Sequence, residues 1–233
     1  MKTKQLAFCA VMTALLSAIQ YALSFVSGVE LVTAFFLGFC YVFGMRCGVL
    51  TGLAFSLLRC VIFGFMPNVI LLYLVYYTLF ALLFGFIGRH KPPKWICPAL
   101  LIGLCALCAF FAIRGLPISI LYKARVTVML WVLFGILAGL LVFYCVLLSK
   151  NKSESGRELA TVTTLAAFCT VMFTLLDDII TPLTLGYSRE AAAGYFYTGF
   201  IAMLPQTICA TVSVFVLFMP LKRIFEAARK SAL

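Results

Sequence analysis

The chain has 233 residues, 65% of them apolar and only 11% charged, with a mean hydropathy of +1.16. Soluble domains run nearer half apolar and about a quarter charged, and no soluble interior of this size could hide so much apolar surface. The formal charge of +11 sits in short gaps between hydrophobic runs. The positive-inside bias and anionic lipid explain that placement without nucleic acid.

Runs of about 20 apolar residues, the length that crosses the hydrocarbon core, occur at 5–27, 29–45, 47–66, 68–88, 95–113, 126–148, 159–179 and 194–220. The expected fold is therefore all-α: a polytopic membrane helix bundle of about eight spans, forming a single integral membrane domain over residues 1–233. The first run follows "MKTK" but is long and is not closed by an A-x-A site, so it reads as a retained transmembrane helix and not a signal peptide.

Within "AFCAVMTALLSAI" (residues 7–19), Ala10, Ala14 and Ala18 recur every four residues, with Ala7 and Ser17 close to the same line. On a helix this strips one face of bulk. Small residues at that spacing let another helix approach closely. The partner is either a helix of the same bundle or a separate subunit. Gly48/Gly52 and Gly135/Gly139 repeat the pattern.

With the N-terminus inside, the inner gaps carry Lys2 and Lys4, Arg46, the stretch Arg89 to Lys94, then Lys150, Lys152 and Arg157, and a last cluster from Lys222 to Lys230. The outer gaps hold Glu30, "FMPN" and "DDIITPLTLGYSRE". This alternation predicts both termini in the cytoplasm. Arg114, Lys123 and Arg125 are the exception and would lie outside: either the pair 95–148 threads differently or those charges have a role. Residues 149–158 read as a polar cytoplasmic loop, and residues 221–233 as a basic, amphipathic cytoplasmic tail.

All ten cysteines lie in or beside apolar runs, where Cys behaves as a small hydrophobe. The pair "CALC" at 105–108 lacks a second pair, and His90 is the only histidine, so neither a metal nor another cofactor is expected. The chain has no P-loop, H-E-x-x-H or Ser-His-Asp set. It does not read as an enzyme, and any ATPase that powers it must be a separate chain.

Ionisable and strongly polar side chains are costly in hydrocarbon, so their depth carries information. Gln20 falls in the outer part of the first span and Glu30 begins the second. Arg59 lies about 12 residues into the third, roughly 18 Å from the inner face. Asn68, Tyr73, Tyr76 and Tyr77 open the fourth span, and Asp177 and Asp178 close the seventh. Tyr195 and Tyr197 start the eighth, with Gln206 below them. The inner halves of the same spans are almost purely Leu, Phe, Val, Ala and Gly. The pattern predicts a polar, aromatic-lined cavity open outward and sealed inward, suited to a zwitterionic or neutral heterocyclic ligand. Its candidate contacts are Gln20, Glu30, Arg59, Asn68, Tyr73, Tyr76, Asp177, Asp178, Tyr197 and Gln206. The tyrosines also suit an interfacial belt, and the aspartates a hydrated helix end. Arg59 calls for a cavity or an acidic partner, with Glu30, Asp177 or Asp178 as possible counter-charges.

The first 90 residues, with "AVMTALLSAI" and "ELVTAFFLGFCYVFGMRCGVLTGLAFSLL", resemble the substrate-capture subunits (S components) of energy-coupling factor (ECF) vitamin transporters. The final "YFYTGFIAMLPQTICATVSVFVLFMPLKRIF" extends the likeness. The resemblance implies capture of a vitamin or similar small molecule in an outward cavity. It implies partners too: a coupling transmembrane subunit docked on an A-x-x-x-A stripe of the first helix, here Ala10, Ala14 and Ala18, and a pair of cytosolic ATPases. It also implies the plasma membrane of a prokaryote and a six-span core, to which the pair 95–148 is an addition. Substrate contacts differ among family members, so none is carried over. The competing readings are a stand-alone secondary carrier for a small organic solute, which needs a coupling carboxylate near the midplane, and a membrane enzyme or sensory and scaffolding protein.

Overall fold

The computed structural model describes residues 3–26, 29–90, 95–114, 120–150 and 153–232. They form eight α-helices: α1 (Thr3–Leu23), α2 (Val32–Phe43), α3 (Met45–Phe63), α4 (Pro67–Arg89), α5 (Ile96–Arg114), α6 (Ile120–Lys150), α7 (Glu154–Leu185) and α8 (Arg189–Ala232). Seven are long and apolar enough to cross a membrane. The exception is α2, whose 12 residues reach only about 18 Å at 1.5 Å per residue. The second of the eight expected spans is thus a short helix.

Its shortness comes from both ends. Residues 29–31 precede the helix without regular structure, and Gly44, at φ 85°, ends α2 and starts α3. That conformation suits glycine. The chain reverses there, so α2 and α3 pair as an antiparallel hairpin. A Cβ added at Gly48 would come within 2.8 Å of Cys40 Sγ, and one at Gly52 within 3.1 Å of Phe36. This glycine pair therefore packs inside the bundle. The pair Gly135/Gly139 does not, since nothing lies within 4 Å of an added Cβ at either.

α1 lies parallel to α3, with the Cys9 thiol against the Cys47 carbonyl at one end and Tyr21 beside Phe63 at the other. α4 and α7 run antiparallel, joined by Tyr76–Phe173 ring contact at 4.8 Å. A column of Phe36, Tyr77, Phe80 and Phe84, with centroid spacings of 4.4–5.6 Å, fills the centre.

Two apolar clusters divide the bundle. The larger joins α1–α4, α7 and α8 around Phe36, Phe55 and Phe84, and takes in Cys97 of α5 and Tyr144 of α6. The smaller ties the α5–α6 pair to α7 and α8 through Leu101, Leu137, Val171 and Met203. The outer surface is as apolar as the inside: Val61 is 81% exposed and Ile113 76%. A surface of this kind has lipid as its solvent, so close packing and internal hydrogen bonds, more than burial of apolar area, hold the helices together.

One end of the bundle collects Lys4, Arg46, Arg89 and the Lys222–Lys230 stretch; the other collects Glu30, Asp177, Asp178 and Arg114. Arg114 ends α5 with its guanidinium 5.2 Å from the Phe110 ring. The side chains of Lys123 and Arg125 lie outside the described residues. The stretches expected as loop and tail are largely helical: α6 runs to Lys150, α7 begins at Glu154, and α8 continues through residues 221–232. Ser153 caps α7, its hydroxyl accepting the Gly156 N–H at 3.1 Å.

Candidate small-molecule site and the outer face of the first helix

Because α2 starts late, its lane is open near the acidic end of the bundle. A cavity of about 260 Å³ fills that space, just under the ~300–1,000 Å³ usual for ligand pockets. Of the residues expected to bind a ligand, Gln20, Glu30, Arg59, Tyr73 and Gln206 line it. Aromatic walls come from Phe63, Tyr77 and Phe173. Below them the buried Phe36–Phe80 stack closes the floor.

The polar groups are held by the fold. The Gln20 amide donates to the Tyr73 hydroxyl at 3.0 Å. The Arg59 guanidinium lies over the Tyr73 ring at 4.2 Å and near the Phe63 ring at 5.3 Å, a cation–π arrangement. Glu30 is fastened to α8: its N–H donates to Cys209 Sγ at 3.2 Å and its carbonyl accepts from the Ser213 hydroxyl at 3.4 Å. Its carboxylate accepts from the Thr33 hydroxyl at 2.6 Å. Glu30 belongs to the α1–α2 connection, outside the spanning helices. Enclosure there pushes its carboxyl above the usual carboxylate range, and the Thr33 hydrogen bond opposes the shift.

Two buried polar atoms at the cavity have no hydrogen-bond partner among the described residues: the acceptor Gln20 Oε1 and the donor Arg59 Nε. Buried polar atoms are seldom left unpaired in proteins. Both side chains line the same cavity, while these two atoms themselves are covered by protein.

The remaining candidates fall elsewhere. Asn68 donates to Thr181 at 3.1 Å, Thr181 to Asp177 Oδ1 at 2.6 Å, and Tyr195 to Asp177 Oδ2 at 2.8 Å. This second cluster lies one turn beyond Phe173 along α7. Asp178 is only 8% exposed, has neither oxygen hydrogen-bonded among the described residues, and packs against Gly199, where an added Cβ would come within 2.3 Å of Oδ1. Tyr76 is a core residue against Phe173 and Phe80. Tyr197 is 50% exposed and joins neither group. Of the acidic groups expected as counter-charges to Arg59, Glu30 lines the same cavity with no ion pair to it among the described residues, while Asp177 accepts from Thr181 and Tyr195.

The α1 stripe is on the outside. Ala10, Ala14 and Ala18 are all exposed, as are Ala7, Val11 and Leu15, while Cys9, Met12, Thr13 and Leu16 face the bundle. Ser17 departs from the expected line: it is buried, donating to the Thr13 carbonyl at 2.9 Å. Among the described residues, no helix covers the alanines.

Comparison with family models, curated proteins and solved structures finds no match. The functional reading therefore rests on the chain's own geometry.

At the basic end, the stretches read as polar loop and basic tail each supply one side chain to a polar contact with α2. The Tyr41 hydroxyl donates to the Glu158 carboxylate, which also receives Lys222 Nζ at 2.5 Å. These residues come from α2, α7 and α8, and no spacing in the sequence brings them together.

Proposed function

We propose that the chain is a substrate-capture subunit of an ECF-type importer in a prokaryotic plasma membrane. It holds a small, vitamin-like organic molecule in the 260 Å³ cavity and docks a coupling transmembrane subunit through Ala10, Ala14 and Ala18. A pair of cytosolic ATPases then supplies the energy that this chain has no residues to harvest. The observation that carries the reading is that Gln20, Glu30, Arg59 and Gln206, from four separate parts of the chain, line one cavity with aromatic walls. The ligand has an acceptor for Arg59, a donor for Gln20, and a flat apolar face for Phe63 or Phe173. The exposed alanine stripe supports the docking half of the reading, since a flat strip admits a foreign helix at close range.

Uptake by cells carrying the chain tests the energy source. Depleting ATP while preserving the ion gradient stops import on this reading, and Ala14→Phe stops import while leaving ligand binding intact. One observation favours a second reading, a secondary carrier for a small organic solute: Asp178 is a buried carboxylate without a hydrogen-bond partner among the described residues. Import that survives ATP depletion but fails with an uncoupler, and fails in Asp178→Asn, supports that alternative.

A further inference from the structure

A second, larger cavity, of about 760 Å³, opens at the basic end of the bundle, where α2, α4 and α6 end and α7 begins. Arg89, Arg157, Arg229 and Lys222 line it, with Glu154, Glu158 and Glu226. Lys222 and Glu158 neutralise each other. Among the described residues lining it, Arg89, Arg157 and Arg229 stand with Glu154 and Glu226, an excess of one positive charge.

The arginines differ in what they already hold. Arg229 Nη1 donates to the Val42 carbonyl at 2.9 Å, which fixes the α8 extension over the end of α2. Arg157 and Arg89 make no side-chain hydrogen bond or ion pair among the described residues. The first turn of the 32-residue α7 contributes Glu154 and Ser155 to the wall, presenting the positive end of its peptide dipoles to the cavity. The remaining wall is apolar: Val42, Ile87, Leu148 and Val162.

From this we infer that the cavity binds a phosphodiester monoanion, with Arg89 and Arg157 as the paired anion contacts. Guanidinium groups match phosphate oxygens with two donors each. A net charge of one suits a phosphodiester, which carries a single negative charge, better than a nucleotide triphosphate. The apolar wall gives a place for the hydrocarbon of a lipid beside its headgroup. Phosphatidylglycerol from the adjoining leaflet has both features; its deacylated headgroup, glycerophosphoglycerol, shares the phosphate chemistry alone. The inference is independent of the ligand cavity at the other end.

The full chain, delipidated in a neutral detergent, is titrated with phosphatidylglycerol in one arm and glycerophosphoglycerol in the other, with bound species counted by native mass spectrometry. One lipid is expected to bind the wild type. Arg89→Gln/Arg157→Gln is expected to weaken that binding about tenfold or more, the size of one lost charge-assisted contact. Arg223→Gln/Lys230→Gln, which removes the same charge from the exposed face of α8, keeps wild-type binding. Preference for the lipid arm identifies a membrane lipid; equal affinity in both arms identifies a soluble phosphodiester. The inference is overturned if neither probe binds, or if both double variants lose binding equally. A melting midpoint of the ligand-free cavity variant near that of wild type separates lost binding from lost folding; an unfolded variant shifts the test to Arg157→Lys, which should retain measurable binding.

Discussion

The Arg59 guanidinium rests 4.2 Å over the Tyr73 ring, and the hydroxyl of the same tyrosine accepts the Gln20 amide at 3.0 Å. One ring from α4 thus positions a cation from α3 and an amide from α1. A cation–π pair of this kind contributes about 0.5–2 kcal/mol, more when dry. Its larger effect is geometric, since it holds the guanidinium flat and leaves Nε without a protein partner.

Arg59→Lys keeps the charge but not the planar fork, and is expected to weaken ligand binding about tenfold. Tyr73→Phe keeps the ring and loses only the acceptor for Gln20, so its loss is expected to be smaller, about 1 kcal/mol. Titration calorimetry with the co-purified ligand distinguishes the two; equal losses would mean that the Tyr73 hydroxyl matters to binding as much as the Arg59 fork.

Exposure on α1 sets a second expectation. Ala10→Phe and Ala14→Phe point away from the bundle, so thermal stability in detergent is expected to stay within about 0.5 kcal/mol of wild type. Leu16→Ala, at 0% exposure, is expected to cost about 2–5 kcal/mol. Destabilisation by the alanine variants comparable to that of Leu16→Ala would contradict an uncovered stripe.

The glycines give a third. An added Cβ at Gly88 would sit 2.0 Å from the Tyr41 carbonyl oxygen, so Gly88→Ala must push α4 away from α2, at a cost of about 1–3 kcal/mol. At Gly135 nothing lies within 4 Å, and Gly135→Ala is expected to be neutral or to stabilise α6 by up to about 1 kcal/mol. Melting curves of the two variants should move in opposite directions or differ clearly in size.

At the basic end, Glu158→Gln leaves Lys222 without its carboxylate. Both side chains are 22% exposed, so solvent screens part of the interaction, and a loss of about 1–3 kcal/mol is expected. A double-mutant cycle with Lys222→Gln is expected to show coupling of about 0.5 kcal/mol or more. Strict additivity would mean that the Glu158–Lys222 pair contributes nothing measurable.

Hydropathy picks out every long helix here because lipid demands the same apolar length of each. It is silent on which face is buried. The segments "AFCAVMTALL" and "AFCTVMFTLL" share seven of ten letters, yet Val11 is 66% exposed while Val171, its counterpart, is 0%. With lipid as solvent, a lipid-facing valine and a core valine satisfy the same chemistry. Polarity at depth was more informative, and Gln20, Glu30, Arg59, Tyr73 and Gln206 do line one cavity. It could not separate them from Asn68, Asp177 and Asp178, which lie at a similar level but on the far side of Phe173. Nor could it reveal the Tyr41–Glu158–Lys222 contact, because that depends on how α8 extends past α2.

The most direct test is to purify the full chain from its native membrane in mild detergent and analyse the released small molecules by mass spectrometry, with Arg59→Gln in parallel. One organic molecule with a planar ring, a hydrogen-bond donor and an acceptor is expected at near-stoichiometric amounts in wild type and depleted in the variant. A wild-type chain that carries no such molecule, or carries it equally in Arg59→Gln, would contradict capture in this cavity.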